Sequence, residues 1–293
     1  MRGPRPPDEV IAHYREYRPE LDRLSGPQGR IELARTQEIL ARHLPDRPLR
    51  ILDVGGATGT YSAWLASLGH EVHLIDPVDD QVQQARQQAG SPPTFTASVG
   101  DARALDQPDE TFDAVLLFGP LYHLTERTDR LLALREAARV LKPGGFLFAA
   151  AISRFASLMD GLARGFLFDP EFQRIVARDL EAGQHRNPTD RFEWFTTAFF
   201  HHPSELAQEA DEAGFDVCEI LGVEGLAGWL PDLVERWSDP AARETMLYSA
   251  RAVESEPCLL GLSAHLLLVA NRVLLPLDLS AGPSRLQARA SRL

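Results

Sequence analysis

The sequence predicts an α/β domain built on a mostly parallel, doubly wound sheet. Between residues 50 and 152 short apolar runs recur, each bounded by turn residues and separated by a stretch with helical periodicity. The runs are apolar on both faces, as strands covered by helices on each side must be. The first run ends in a glycine-rich turn that leads straight into a helix.

The elements follow in order. After a Pro-rich start, residues 9–44 read as helical, with Ile31, Leu33, Ala34, Ile39 and Leu40 on one face. Pro45 and Pro48 end that helix. Strands are expected at 50–54, 71–75, 94–97, 112–118 and 145–152, with helices at 60–68, 79–89 and 127–141. Lys142-Pro143-Gly144-Gly145 reads as a turn, because proline cannot continue the helix and glycine permits the reversal. Beyond Ile152 the alternation stops, and nine aromatic side chains fall within residues 153–202. A helix (203–213) and a strand (215–221) then resume the pattern. Helices at 226–237 and 241–253 and a last strand at 263–270 follow, and residues 273–293 read as a loose tail. The chain thus divides into an N-terminal helical stretch (1–48), a strand–helix core (49–152), an insertion (153–202), the rest of the domain (203–272) and the tail.

Bulk composition narrows the partners. The chain has 293 residues, 44% hydrophobic and 25% charged, with a formal net charge of −12. That charge repels RNA and DNA, and no dense basic run offsets it. Lys142 is the only lysine, a bias that fits a GC-rich bacterial genome. Cys218 and Cys258 lie far apart and outside any Cys/His cluster, so neither a disulfide framework nor a metal site is expected. The start of the chain lacks a signal-peptide core, and no apolar run is long enough to span a bilayer, which predicts a soluble, cytoplasmic protein.

The chemistry sits in Asp53-Val54-Gly55-Gly56-Ala57-Thr58-Gly59. Glycines let the main chain approach a ligand closely, and the following helix aims its N-terminus at it. Asp76 ends the second strand, where such sheets hold a ribose-binding carboxylate. Together these features indicate a nucleoside-type cofactor. A carboxylate at Asp53 repels a pyrophosphate, which argues against NAD, and suits the charged amino-acid end and sulfonium of S-adenosylmethionine.

With Gly100-Asp101-Ala102, Phe112-Asp113-Ala114-Val115 through His123, and Leu141-Lys142-Pro143-Gly144-Gly145 falling in order, the sequence resembles the class I S-adenosylmethionine-dependent methyltransferases over residues 49–152. That resemblance implies a Rossmann-like sheet of seven strands, the last antiparallel, with an N-terminal helical cap (1–48), a cofactor-binding core (49–152) and an inserted helical lid (153–202). It implies that Gly55, Gly56, Ala57 and Gly59 line the methionine part of the cofactor. Asp76 and Pro77 would lie at the ribose, Asp101 and Ala102 at the adenine, and Phe118 and Gly119 beside the sulfonium. Ala57 stands where many members have glycine. Residues 118–124 look like the post-strand segment of bacterial small-molecule members, including the ubiquinone-biosynthesis type, and lack the Asn/Asp-Pro-Pro-Tyr/Phe sequence of amino-methylating nucleic-acid enzymes. The expected activity is methyl transfer to O, N or C of a small metabolite, leaving S-adenosylhomocysteine. An RNA or protein methyltransferase, a non-catalytic cofactor-binding regulator and an NAD-dependent dehydrogenase are the competing readings.

Methyl transfer asks the protein to align the nucleophile, exclude water and, for some acceptors, remove a proton. Tyr122, His123 and His201 are the candidates for that work. His123 has two readings, a base above the methyl or a side chain packed on the loop. His201 and His202 lack a third metal ligand at useful spacing, so they read as substrate contacts or as the start of a helix. Tyr14, Tyr17 and Arg30 are either caps on the cofactor carboxylate or solvated surface. The aromatics of 153–202 are read as lid core and pocket wall together. Arg191 and Glu193 contact a charged acceptor or face solvent. The 226–253 region either packs on the sheet or buries a dimer interface, leaving monomer and homodimer open.

Overall fold

The computed structural model describes Leu24 and residues 26–273. Tyr14, Tyr17, half of the expected cap and nearly all of the tail lie outside the described residues. The sheet is assembled around β1 (Arg50–Val54), which pairs in parallel with β2 (Glu71–Asp76) on one side and β4 (Phe112–Leu117) on the other. β3 (Thr96–Val99) extends it beyond β2, and β5 (Leu141–Ser153) lies beyond β4. Against β5 runs β9 (His265–Arg272), antiparallel, followed by antiparallel β8 (Phe215–Gly222). The order is therefore 3-2-1-4-5-9-8, reversing between β1 and β4. That reversal opens a crevice at the carboxyl ends of the strands, where ligands bind in such sheets.

Alternate strand residues feed two cores, one on each face. Leu52, Val54, Val115, Leu117, Leu147 and Leu268 pack with Ala133, Leu134 and Ala137 of α5 (Arg127–Val140) and with Leu206 and Ala210 of α8 (Pro203–Glu212). Ile51, Leu74, Leu116, Phe148 and Leu267 pack on the other face. Their partners are Ile39 and Leu40 of α1 (Pro27–His43), Leu65 of α2 (Thr60–Ser67) and Ala85 of α3 (Asp79–Ala89). The period of two along each strand sends neighbours to opposite cores, so both faces must be apolar. α1 is pinned by Arg35, which is fully buried, ion-paired to Glu38 and Glu254, and donates to the Val223 carbonyl at 3.3 Å. Glu254 follows α10 (Pro240–Val253).

Four expectations are corrected. Residues 142–145 are not a turn before the strand: β5 begins at Leu141 and passes through them, with a register break against β4 between Phe112 and Ala114. The insertion is not purely helical. After α6 (Ala156–Arg164) and α7 (Pro170–Ala182) it forms a small antiparallel pair, β6 (Gln184–His185) and β7 (Ala198–His201). β7 also pairs in parallel with the end of β5, Ile152 opposite Phe200, taking the edge that β4 vacates at Leu117. Among the described residues the sheet thus has nine strands rather than seven. Finally, the expected helix at 226–237 is interrupted at Pro231. A 3-10 turn (Gly225–Trp229) precedes it and α9 (Leu233–Ser238) follows, since proline lacks the N–H a continuous helix needs.

Candidate functional site

The glycine turn leaves β1 and folds back over the ends of β2 and β4. Gly55 donates its N–H to the Ile75 carbonyl at 2.7 Å, and Phe118 donates to Val54 at 3.2 Å. Gly55 has φ +80, and a Cβ there would lie 2.6 Å from the Phe118 carbonyl oxygen. A Cβ on Gly56 would lie 2.7 Å from the Asp53 carboxylate and from Leu74. Both glycines are therefore required by close approach, quite apart from any ligand. Ala57 takes the left-handed conformation at φ 49, and its N–H is held by Asp76 Oδ2 at 3.0 Å. Asp76 Oδ1 accepts from Val78 N–H at 2.9 Å.

Over this turn lies a cavity of about 1250 Å³, counting the space open to solvent at its mouth. Gly55, Gly56, Ala57, Asp76, Pro77, Asp101, Ala102, Phe118 and Gly119 line one half, with Tyr122 and His123 beyond them. The other half is bounded by Glu32 and Thr36 of α1, by Val223, and by His265 and Leu267 of β9. β9 runs antiparallel to β5, so its first residue, His265, arrives at the carboxyl edge of the sheet, where the crevice is. Tyr122 and His123 belong to the short helix α4 (Pro120–His123), which turns directly after β4. The His123 ring meets Tyr122 edge-on, centroids 4.7 Å apart, and lies 6.2 Å from Phe195.

Four of the expected site residues stand outside the cavity lining. Asp53 is fully buried beneath the turn, where Oδ2 accepts from Ser62 Oγ at 2.7 Å and Oδ1 has no hydrogen-bond partner. Burial pushes its carboxyl up to about 6, a rise that the Ser62 hydrogen bond only partly offsets. Gly59 sits at the N-cap of α2, and Arg30 is exposed on α1. His201 is the clearest departure. It is fully buried, with Nε2 3.3 Å from Glu209, so it has no path to a ligand in the cavity. Burial holds its imidazole below the ordinary histidine value, although Glu209 opposes that shift. His202 serves as N-cap of α8 in a reciprocal pair with Glu205.

The insertion's aromatics do not line the cavity. Phe172 and Trp194 bury with Ile175 and Val176 in a satellite core of their own, and Phe166 packs against it. Arg191 pairs with Asp169 at 2.7 Å and lies over Trp194, while Glu193 faces solvent. Phe195 packs against Ile152, Ala156, Ala198 and Phe200, with its ring centroid 6.2 Å from that of His123.

The structure adds residues the sequence gave no reason to single out. Thr60 lines the cavity at the start of α2, and its hydroxyl is buried without a hydrogen-bond partner. An orphaned hydroxyl beside a main-chain cradle fits a polar ligand on the glycine turn. Asp101 is committed to Arg103, at 2.7 Å, which also pairs with Asp129. Glu32, Glu224 and His265, far apart in the chain, come together at the far wall. No helix among the described residues is long and apolar enough to cross a membrane.

Comparison with known proteins agrees with this architecture. Residues 51–145 match the family model described as a methyltransferase domain. The chain is 32% identical to a ubiquinone/menaquinone biosynthesis C-methyltransferase of Rhodopseudomonas palustris over 184 residues, 58% of this chain and 67% of the relative. It is 27% identical to a ubiquinone biosynthesis O-methyltransferase of Azorhizobium caulinodans, over 66% of this chain and 72% of the relative. In fold it is similar to an S-adenosylmethionine-dependent methyltransferase from Mesorhizobium loti, with TM-score 0.56 and 19% identity, over 83% of this chain and all of the other. The orphaned Thr60 hydroxyl and the bare main chain at Gly55 suit the adenosyl cofactor such enzymes use. A sheet that reverses at β1, a turn too crowded for side chains and these relatives lead to one conclusion: the chain belongs to the class I S-adenosylmethionine-dependent methyltransferases, enzymes that act on small molecules among its relatives.

Proposed function

We propose that this enzyme methylates an oxygen or a carbon of a small, largely apolar acceptor. The observation that carries the reading is the continuity of one cavity from the glycine turn to the wall made by Val223, Leu267 and Ala150. S-adenosylmethionine supplies a methyl group already activated by positive sulfur. Gly55, Gly56, Ala57, Asp76 and Pro77 hold its methionine and ribose parts, and Asp101 and Ala102 hold the base. Phe118 and Gly119 flank the reacting end. Tyr122 and His123 stand between the two halves of the cavity, so they orient the acceptor, and His123 takes its proton where one must leave. The apolar wall excludes water from that step. The O- and C-methyltransferase relatives support both acceptor atoms and do not select one.

The test is to incubate the protein with methyl-labelled S-adenosylmethionine and, separately, with bacterial low-mass extract, total RNA and total protein. Label is expected in a solvent-extractable product of the low-mass fraction. Label held in RNA or protein alone overturns the reading, as does the absence of any labelled product.

A further inference from the structure

β8 ends at Gly222 and β9 begins at His265, and their antiparallel pairing continues as Val223 N–H donates to the His265 carbonyl at 3.0 Å. Glu224 therefore lies beside His265, and α1 crosses the same place with Glu32. One ligand atom from each of these three side chains lies within 4.8 Å of the other two. His265 Nδ1 is 2.5 Å from Glu224 Oε1 and 3.8 Å from Glu32 Oε2.

Glu224 is held rigidly. Its Oε2 accepts from Ser263 Oγ at 2.8 Å and from His265 N–H at 3.0 Å. Ser263 Oγ accepts in turn from the N–H of Glu224 and of Gly225. These bonds leave Oε1 turned to the imidazole, the arrangement in which outer partners orient a ligating carboxylate. The Glu224 side chain is only 3% exposed, and among the described residues no arginine or lysine is ion-paired to it. A carboxylate this buried needs a cation. Ligands of a tetrahedral ion, bound at about 2.0–2.2 Å, lie about 3.3–3.6 Å from each other. The two separations from Nδ1 bracket that spacing, so side-chain shifts under about 1 Å would admit an ion.

We propose that Glu32, Glu224 and His265 form a binding site for a divalent transition-metal cation. One imidazole nitrogen and two carboxylate oxygens suit zinc or manganese. Because Glu32 and His265 line the cavity, the remaining coordination position opens toward the acceptor half, where an oxygen-bearing acceptor can reach it.

The experiment titrates zinc chloride into the full chain by calorimetry and follows manganese by electron paramagnetic resonance. Cys218 and Cys258 are exposed free thiols, so Cys218→Ser/Cys258→Ser is the background for the zinc arm. One ion per chain is expected, with Glu32→Gln and His265→Asn each weakening it at least about tenfold. Glu32→Gln leaves the bonds that anchor Glu224 intact, and its melting temperature is measured alongside, so lost binding there is not lost folding. Absence of a stoichiometric ion, or affinity unchanged in both variants, overturns the proposal and leaves a hydrogen-bonded carboxylate–imidazole pair. Neither arm contains cofactor or acceptor, so the outcome is separable from the methyl-transfer reading.

Discussion

Asp76 Oδ2 accepts a hydrogen bond from the main-chain N–H of Ala57 at 3.0 Å, which ties the end of β2 to the glycine turn after β1. The same carboxylate holds Val78 N–H through Oδ1. Asp76 thus sets the shape of the turn and contributes to the cavity wall. Asp76→Ala removes both roles. Affinity for S-adenosylhomocysteine, measured by calorimetry, is expected to fall by about 1–3 kcal/mol. Unchanged affinity would mean that the ligand does not use this end of the cavity.

Gly55→Ala forces a methyl against the Phe118 carbonyl, 2.6 Å from the Cβ position, at a residue with φ +80. The other close neighbour is the Pro120 ring, 2.7 Å away and as stiff as main chain, so the backbone itself must move. A loss of about 1–3 kcal/mol in unfolding free energy is expected from overpacking, with weaker cofactor binding besides. Equilibrium denaturation without ligand measures the first effect alone.

Asp53→Asn probes the buried carboxyl. Its folded value is raised to about 6, above its value in the unfolded chain, so the folded protein holds the proton more tightly. Stability therefore falls as pH climbs from about 4 to about 6 and stays lower above that. The amide can still accept the Ser62 hydroxyl without carrying charge. At pH 8 the variant is expected to be more stable than the wild type by up to about 3 kcal/mol, a gap that closes near pH 4. A difference independent of pH refutes the account.

Glu209 binds Arg130 through two nitrogens, the closer at 2.7 Å, and each side chain is 2% exposed. Arg130 also donates to the carbonyls of Leu124 and Thr125 and lies 3.6 Å over the Phe199 ring. Burial by itself would raise the Glu209 carboxyl, but the bonds from His201 and Arg130 hold it down at about 2. Its contribution is fully present above the ordinary carboxylate range and is lost as pH falls toward 2. Glu209→Ala strands the buried guanidinium and is expected to cost about 3–5 kcal/mol at neutral pH. Since the Leu124 and Thr125 carbonyls follow α4, activity should fall with it; a denaturation midpoint equal to wild type would contradict this.

The alternation of apolar runs and helices was enough to read the sheet, because burial on two faces leaves an unbroken hydrophobic signal in each strand. The strand at 50–54 and the helix at 79–89 coincide with the observed elements. Local chemistry likewise marked the turn at Asp53–Gly59 and the carboxylate of Asp76, since crowding there admits few residue types. Periodicity had no means of showing that residues 153–202 send β7 back to the edge of β5, because a four-residue strand leaves almost no pattern. The place of His201 before Pro203 suggests a substrate contact or a helix start, and nothing in the chain around Glu224 marks it out. Packing in three dimensions seals the first against Glu209 and joins the second to His265 across 41 residues of chain. Sequence by itself determined the strand–helix alternation and the main-chain cradle, both products of neighbours a few residues apart. Tertiary structure alone decided the far wall of the cavity, because Glu32, Val223 and His265 meet only when α1, the end of β8 and the start of β9 are brought to one edge of the sheet.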